Sequence, residues 1–413
     1  MTTAAPDTTP AKLIEQAGAL RETIREQADE AEALGHYTPA VHEAFRQAGF
    51  YDLLTPRTYG GLEVDLRTFA KVMIEVACAD PGTAWCLCLG QGHALSTATH
   101  WPQRAQDEVF ANDAGYFRAS HSFNPSGTAK RVDGGWLVNA TSPYQSGVPY
   151  ATHATVSVEV VDDTTGAPDA TTTDRRVLQV LIPRDQFTVL DNWGGDKVLG
   201  MRASGSNTIV VDNQVVPEDY AVDMALGPVS GAAAPGLRIH GNPIYSGAAS
   251  LSFFLLELVV TVVGAARGAL DEYEHLTLTK SAMPPAGTGP RFKYPTFQQD
   301  FGIAQMKADG AEAIVLHVAD TITRWSHDAV SGIREFTPQM DNRLVGMLLE
   351  AGELAGDAVD ILFRSAGTSA ALRGQRMQRY LRDVLMYRTH RATQYNASAR
   401  RHGAIEFGEL PNL

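Results

Sequence analysis

The chain has 413 residues, of which 44% are hydrophobic and 20% are charged, and its formal net charge is −13. This composition is ordinary for a globular protein, and the length predicts two or three packed units. The negative charge argues against a nucleic-acid partner, because proteins that bind polyanions usually present a basic surface. The three cysteines form no Cys-x-x-Cys pair and have no histidine at metal-ligand spacing, which predicts reduced thiols, no metal site and a cytoplasmic location.

The first 113 residues are predicted to form an N-terminal helical domain. Apolar residues recur at helical spacing in AKLIEQAGALRETIREQADEAEAL, which is predicted to be one amphipathic helix over residues 11–34. The same spacing returns in PAVHEAFRQAGFYDLL and in LRTFAKVMIEVACA. Turns rich in Pro and Gly, such as TPRTYGG, separate these segments.

Residues 114–226 are predicted to form a β-domain. Short runs rich in β-branched residues, such as ATHATVSVEV and SNTIVVDNQVVP, alternate with turns that contain Gly, Pro and Asp. The residues alone are compatible with either a barrel or a sandwich.

Residues 227–413 return to helical spacing, which predicts an α+β chain that ends in a helical bundle. Four long segments begin near Tyr245, Phe297, Met340 and Met377. The most apolar run, LSFFLLELVVTVVGAA, contains Glu257 and is shorter than the roughly 20 residues that span a bilayer. We therefore expect a buried core helix, no membrane association, and apolar faces that also meet other subunits.

Three polar residues are candidates for chemistry: His93 in CLCLGQGHAL, Ser146 in SPYQSGVPYA and His390 at the end of MQRYLRDVLMYRTH. The chain has no P-loop, no HExxH, no GxSxG and no complete GxGxxG after a strand. Taken singly, the three residues are explained better as a hydrogen-bonded core histidine, a turn serine and a histidine that ends a helix than by catalytic roles.

Several stretches together resemble the acyl-CoA dehydrogenase superfamily over nearly the whole chain. VLGMRASGSNTIVVDNQVVPEDY is similar to its middle-domain signature, and GAARGALDEYEH and FQQDFGIAQMKADGAEA are similar to its first two C-terminal helices. RSAGTSAALRGQRMQRYLRD is similar to its glycine loop and the Arg-Asp helix that follows. The resemblance implies a central β-barrel domain and a C-terminal four-helix bundle.

The catalytic glutamate of true acyl-CoA dehydrogenases has no match at its usual place. In that family it follows the Arg-Asp pair at a fixed interval, and the same interval from Arg382 and Asp383 ends at Arg391. A guanidinium cannot abstract a proton from a thioester substrate. An acyl-CoA dehydrogenase with a relocated glutamate therefore stays open only as an alternative.

The flavin-dependent monooxygenases of this fold, oxygenase components of two-component systems, are the more specific resemblance. ADPGTAWCLCLGQGHALSTATHWPQRAQDEVF is similar to their N-terminal signature, including the position of His93. GGWLVNATSPYQSGV is similar to their Gly-x-Trp-x-x-Ser-Gly segment, with Ser146 as the family serine, and His390 stands where they carry a histidine. The resemblance thus brings the three candidates into one site.

This resemblance implies that reduced FMN or FAD, delivered by a separate NAD(P)H-dependent flavin reductase, reacts with O2 to form a C4a-hydroperoxide. The substrate is then an aromatic or polycyclic small molecule. Ser146 would hydrogen-bond near the flavin N5, and His390 would stabilise the peroxide or take the proton of a phenol. An N-hydroxylating monooxygenase of the nitrososynthase type and a non-catalytic helical scaffold remain alternatives.

The resemblance also implies which residues bind the flavin. The matched positions are Ser120, Tyr144, Ser146, Gly367, Thr368 and Ser369. Lys280 stands where the superfamily has a phosphate-binding arginine, for which Arg291 in the next loop is a substitute. Phosphate contacts from Thr368 and Ser369 of a neighbouring subunit imply a homotetramer.

Overall fold

The computed structural model describes residues 9–161, 176–223, 234–284 and 287–409. Helices precede and follow a β-sheet, which confirms the predicted α+β order. The predicted domain boundary between residues 226 and 227 lies outside the described residues.

Between residues 9 and 113 the chain is helical. Its helices are α1 (Pro10–Ala19), α2 (Arg21–Glu26), α3 (Ala28–Leu34), α4 (Pro39–Gln47), α5 (Leu66–Ala79), α6 (Pro81–His100) and α7 (Gln103–Phe110). Thr38, Asp65 and Asp80 start α4, α5 and α6, and each side chain accepts a hydrogen bond from a backbone N–H of the first turn.

The prediction of one helix over residues 11–34 is wrong, because that segment forms α1, α2 and α3. The breaks are slight: at Leu20 the backbone N–H is shared between the carbonyls of Gln16 and Ala17, and Gln27 has φ −95° and ψ 2°. The periodicity survives these breaks, which explains why the spacing alone indicates one helix.

The central region is one sheet whose strands run in the order β6-β7-β3-β2-β4-β5-β8, with β1 parallel to β4. The strands are β1 (Ala119–Ser122), β2 (Gly127–Val132), β3 (Gly135–Gln145), β4 (His153–Val160), β5 (Val177–Pro183), β6 (Thr188–Val189), β7 (Asn207–Val216) and β8 (Ala221–Asp223). β6 and β8 end the order without pairing with each other, so the sheet is open and the predicted closed barrel is wrong. Closure requires hydrogen bonds between these edge strands, whereas β6 pairs only with β7 and β8 only with β5 among the described residues.

The C-terminal region is again helical. Its helices are α8 (Pro235–His240), α9 (Ser250–Thr279), α10 (Pro295–Val330), α11 (Pro338–Ala366), α12 (Arg376–Thr389) and α13 (Tyr395–Glu406). Helices α9, α10 and α11 pack on one another, α12 packs on α9 and α11, and α5 and α6 cover the remaining side of α9.

Helix α9 is the predicted core helix. By length and composition it is apolar enough to cross a membrane, but 89% of its most apolar window is buried within the fold. Its small residues allow close packing: a Cβ added at Gly264 would lie 2.6 Å from the Ile74 carbonyl of α5. The chain therefore buries α9 by itself, and this burial does not require a neighbouring subunit.

Candidate active site

A cavity of about 850 Å³ lies between α6, the sheet, α9 and the end of α12. Ser146, His390, His93 and Tyr144 all line it, although they come from three separate segments: α6, the end of β3 and the end of α12. The volume is in the range of sites that enclose a small molecule. The structure thus places four of the predicted site residues around one space.

The hydroxyl of Ser146 is held by its neighbours. Trp85 Nε1 donates a hydrogen bond to Ser146 Oγ at 3.2 Å, and Ser146 Oγ lies 2.7 Å from Ser206 Oγ. Ser206 Oγ in turn lies 2.7 Å from Ser204 Oγ. An indole N–H can only donate, so Ser146 accepts from Trp85 and keeps its own proton for Ser206 or for a bound molecule.

His390 ends α12 and presents a neutral ring. The backbone N–H of Ala392 donates to His390 Nδ1 at 3.1 Å, which leaves the ring proton on Nε2. Burial lowers the pKa of His390 below its ordinary value of 6.5. The ring meets those of Trp85 and Phe254, with centroids 5.8 Å and 6.3 Å away.

His93 has the opposite tautomer. Its Nδ1 lies 2.7 Å from the Ala119 carbonyl, which can only accept, so Nδ1 carries the proton and Nε2 holds a free lone pair. Burial lowers the pKa of His93 to about 4. The interpretation as a hydrogen-bonded core histidine is therefore correct, and the same residue also lines the cavity.

Tyr144 is held at the cavity in a strained conformation. It has φ +61° and is 62% exposed, and its ring meets Trp193 edge-on at 6.1 Å. The register between β3 and β7 shifts between Ser142 and Gln145, which produces this conformation. A positive φ at a bulky residue is rare and clusters at functional sites.

The second group of predicted residues lies away from the cavity, around the loop after α11. Lys280 Nζ donates to Ser369 Oγ at 2.9 Å, and Arg291 Nη1 donates to the Ala366 carbonyl at 2.7 Å. Gly367, with φ +89°, turns the chain into this loop. In the part of the chain that the structure describes, neither cation pairs with a carboxylate, so both are available to an anion.

Ser120 and Thr368 complete the predicted flavin contacts. Ser120 is fully buried in β1, does not line the cavity, and its hydroxyl has no hydrogen-bond partner among the described residues. Thr368 follows Gly367 in the same loop as Ser369. Their roles toward a flavin stay predictions.

Two family models match the chain: the acyl-CoA dehydrogenase N-terminal domain over residues 15–111 and the acyl-CoA dehydrogenase C-terminal domain over residues 256–395. The oxygenase subunit HsaA of a flavin-dependent monooxygenase from Rhodococcus jostii (strain RHA1) is 29% identical over 390 residues, which cover 94% of this chain and 97% of the relative. The chain belongs to the oxygenase components of flavin-dependent monooxygenases. It is thus an enzyme of the acyl-CoA dehydrogenase fold.

Solved structures agree with this assignment. The 3-HSA hydroxylase from Rhodococcus sp. RHA1 superposes with a TM-score of 0.84 at 27% identity, over 97% of this chain and 98% of that one. XiaF from Streptomyces sp., solved with FADH2 and glycerol, gives a TM-score of 0.86 at 26% identity, over 98% of each chain.

Sequence reasoning missed several residues of this oxygenase cavity. They are Trp85, His121, Ser204, Ser206, Phe254 and Glu257. Trp85 and the two serines give no local signal, because only the fold brings them to Ser146. Glu257 did give a local signal in the sequence, because a single charge in the most apolar run of the chain requires either a partner or a function.

Within residues 9–161, 176–223, 234–284 and 287–409, no three His, Cys, Asp or Glu side chains are grouped so that they could hold a metal ion. Cys78, Cys86 and Cys88 are buried and free, as predicted.

Proposed function

We propose that this oxygenase component hydroxylates an aromatic or polycyclic small molecule with O2 and reduced FMN or FAD from a separate NAD(P)H-dependent flavin reductase. The observation that carries the proposal is that Trp85 contacts both Ser146 and His390 in one cavity. Relatives include the oxygenase components of p-hydroxyphenylacetate 3-hydroxylase from Acinetobacter baumannii and of an FADH2-dependent resorcinol hydroxylase from Rhizobium sp..

The residues of the cavity fit a flavin. Aromatic rings of Trp85, Trp193 and Tyr144 face a space that also contains hydroxyls, as a flat ring system with polar edges requires. Outside the cavity, around the loop after α11, Lys280 and Arg291, with Ser369, offer charge and donors to a phosphate, and a subunit contact would bring this group to the flavin of a neighbouring subunit. When bound, reduced flavin supplies the electrons that activate O2.

The side chains of the cavity differ in whether they donate or accept a proton. His390 donates from Nε2, because its Nδ1 lone pair is occupied by the Ala392 N–H. His93 offers a free Nε2 lone pair and is the better placed acceptor for a substrate hydroxyl proton. Ser146 contributes a second donor, and the apolar and aromatic walls exclude water, which strengthens each of these hydrogen bonds.

A cytoplasmic homotetramer, with α9–α12 acting as a four-helix bundle, is part of the proposal. Apolar side chains that are exposed close to Lys280 and Ser369 along the chain support a subunit contact there: Leu278 is 58% exposed, Met283 74% and Leu372 61%. Such a contact would place the loop after α11 against a second subunit.

A single-turnover assay tests the function. The purified chain is mixed with photoreduced FMN or FAD and a panel of phenols and polycyclic compounds, and then with 18O2. We expect one 18O atom on carbon in the product. Label on nitrogen would instead support the N-hydroxylating alternative, and bleaching of bound oxidised flavin by an acyl-CoA would support the dehydrogenase. Release of peroxide alone with every compound would contradict the proposal.

A further inference from the structure

Glu257 is a buried group of the cavity that the proposed chemistry does not use. It lies on α9, is 2% exposed and lines the cavity. Its Oε2 is buried and has no hydrogen-bond partner among the described residues. A carboxyl in this condition is costly for the fold, which points to a ligand that satisfies it.

The space for this carboxyl comes from Gly92 on α6. A Cβ added at Gly92 would overlap the Glu257 carboxylate, so α6 accommodates the group only because residue 92 is glycine. The backbone of Glu257 is also tied to α6, since Cys88 Sγ donates to its carbonyl at 3.1 Å. The carboxyl is therefore held in place by packing, although it is not satisfied by hydrogen bonds.

Two arginines, Arg391 and Arg401, also line this cavity, but Arg391 donates to Asn124 Oδ1 at 3.0 Å and, among the described residues, neither arginine forms an ion pair with Glu257. His93 and His121, which line the same cavity, lie with ring centroids 5.2 Å apart, and burial lowers the pKa of both. His121 Nε2 is likewise buried without a partner among the described residues. Burial raises the pKa of Glu257 well above its ordinary value, which favours the neutral acid when no ligand is bound.

We infer that Glu257 is a specificity-determining residue that binds a basic nitrogen on the aromatic substrate. This inference rests on the proposed function and narrows its substrate class. A hydroxyl or amide could be bound as well by glutamine, whereas a carboxyl gains most from a cation that enters with the ligand. The two neutral histidines can each accept or donate a hydrogen bond, so the ion pair with the basic nitrogen is formed by Glu257.

The binding step has a defined proton balance. The ligand enters as an ammonium, the Glu257 acid releases its proton to solvent, and the carboxylate accepts N–H hydrogen bonds from the ammonium. One proton is released for each ligand bound. An ammonium has no lone pair, so this mode also directs oxygen to carbon and away from that nitrogen.

Calorimetric titration of the full chain tests the inference with two phenols that differ only by the amino group, tyramine and 4-ethylphenol. Repeating the titration in buffers with different ionisation enthalpies measures the protons released. We expect tyramine to bind roughly tenfold or more tightly than 4-ethylphenol, as a charge-assisted hydrogen bond predicts, and to release one proton. In Glu257→Gln both the preference and the proton release should vanish, whereas Glu335→Gln, at an exposed site, should match the wild type.

The possible results distinguish failure of the inference from failure of the proposed function. Equal binding of the two phenols, or tyramine binding without proton release, overturns the inference and leaves the proposed function standing. Failure of both phenols and of larger aromatic compounds to bind contradicts the proposed function, and the inference falls with it. The wild-type proton count needs no variant, so poor folding of Glu257→Gln would not obscure the result.

Discussion

Trp85 Nε1 and Ser146 Oγ are joined by a hydrogen bond of 3.2 Å that connects α6 to the segment after β3. The same indole ring meets His390 edge-on at the end of α12. One rigid side chain from the N-terminal region therefore sets the relative positions of two candidate residues from the other two regions. Its loss should disturb catalysis more than stability.

Trp85→Phe should keep the aromatic wall but remove the donor to Ser146. We expect less product per flavin oxidised, more peroxide, and a loss of unfolding free energy of about 1 kcal/mol for the hydrogen bond. Trp101→Phe is the matched control, because Trp101 Nε1 donates to the Tyr220 carbonyl at 2.9 Å outside the cavity. Equal uncoupling in both variants would show that Trp85 has no special role.

His390→Ala should leave the fold and flavin binding largely intact but lower the product formed per flavin and raise peroxide release. The reason is the loss of the Nε2 donor in the cavity. Stopped-flow mixing with product and peroxide quantified at the end decides it. His327→Ala, whose side chain is 65% exposed, is the control. Wild-type coupling in His390→Ala would contradict the role.

Ser146→Ala should raise peroxide release, because a hydrogen bond to a buried ligand is removed at a cost of roughly 1–3 kcal/mol. Ser157→Ala serves for comparison, since Ser157 is also buried and its Oγ donates to the Ser122 carbonyl at 3.1 Å. Peroxide yields are measured with reduced flavin in single turnovers. If Ser146→Ala behaves like Ser157→Ala, Ser146 is only a turn residue.

Glu257→Gln should become more stable relative to the wild type as the pH rises. The unfolded chain loses the Glu257 proton above its ordinary pKa of 4.5, whereas the folded chain keeps it, because burial raises the folded pKa. The wild type therefore loses up to about 1.4 kcal/mol per pH unit from this group, and the amide loses none. Urea unfolding at pH 5 and pH 8 measures the difference, and a gap that does not widen would place the carboxyl in contact with water.

Lys280→Gln should weaken binding of reduced flavin without changing the oligomeric state, because one phosphate partner beside Ser369 is lost. Light scattering of the wild type should give a mass near four chains of 44.5 kDa. Equilibrium dialysis under anaerobic conditions measures the affinity. A monomer that still binds reduced flavin tightly would contradict the tetramer and the proposed phosphate contact.

Local sequence accounts for much of the fold. Capping residues such as Asp65 and Asp80, the period of the apolar residues and the turn residues between strands act over a few positions, so they determine where helices and strands form. The apolar run of α9 likewise determined a buried core helix. The family resemblance, carried by longer stretches, pointed to Ser146, His93 and His390.

Only the tertiary structure decided how these parts meet. Whether the sheet closes depends on hydrogen bonds between β6 and β8, which no local pattern records. The tautomers of His93 and His390 follow from the Ala119 carbonyl and the Ala392 N–H. The position of the Glu257 carboxyl follows from the space that Gly92 leaves on α6. Periodicity and capping are properties of neighbours along the chain, whereas hydrogen-bond partners and burial belong to residues that folding brings together from distant positions.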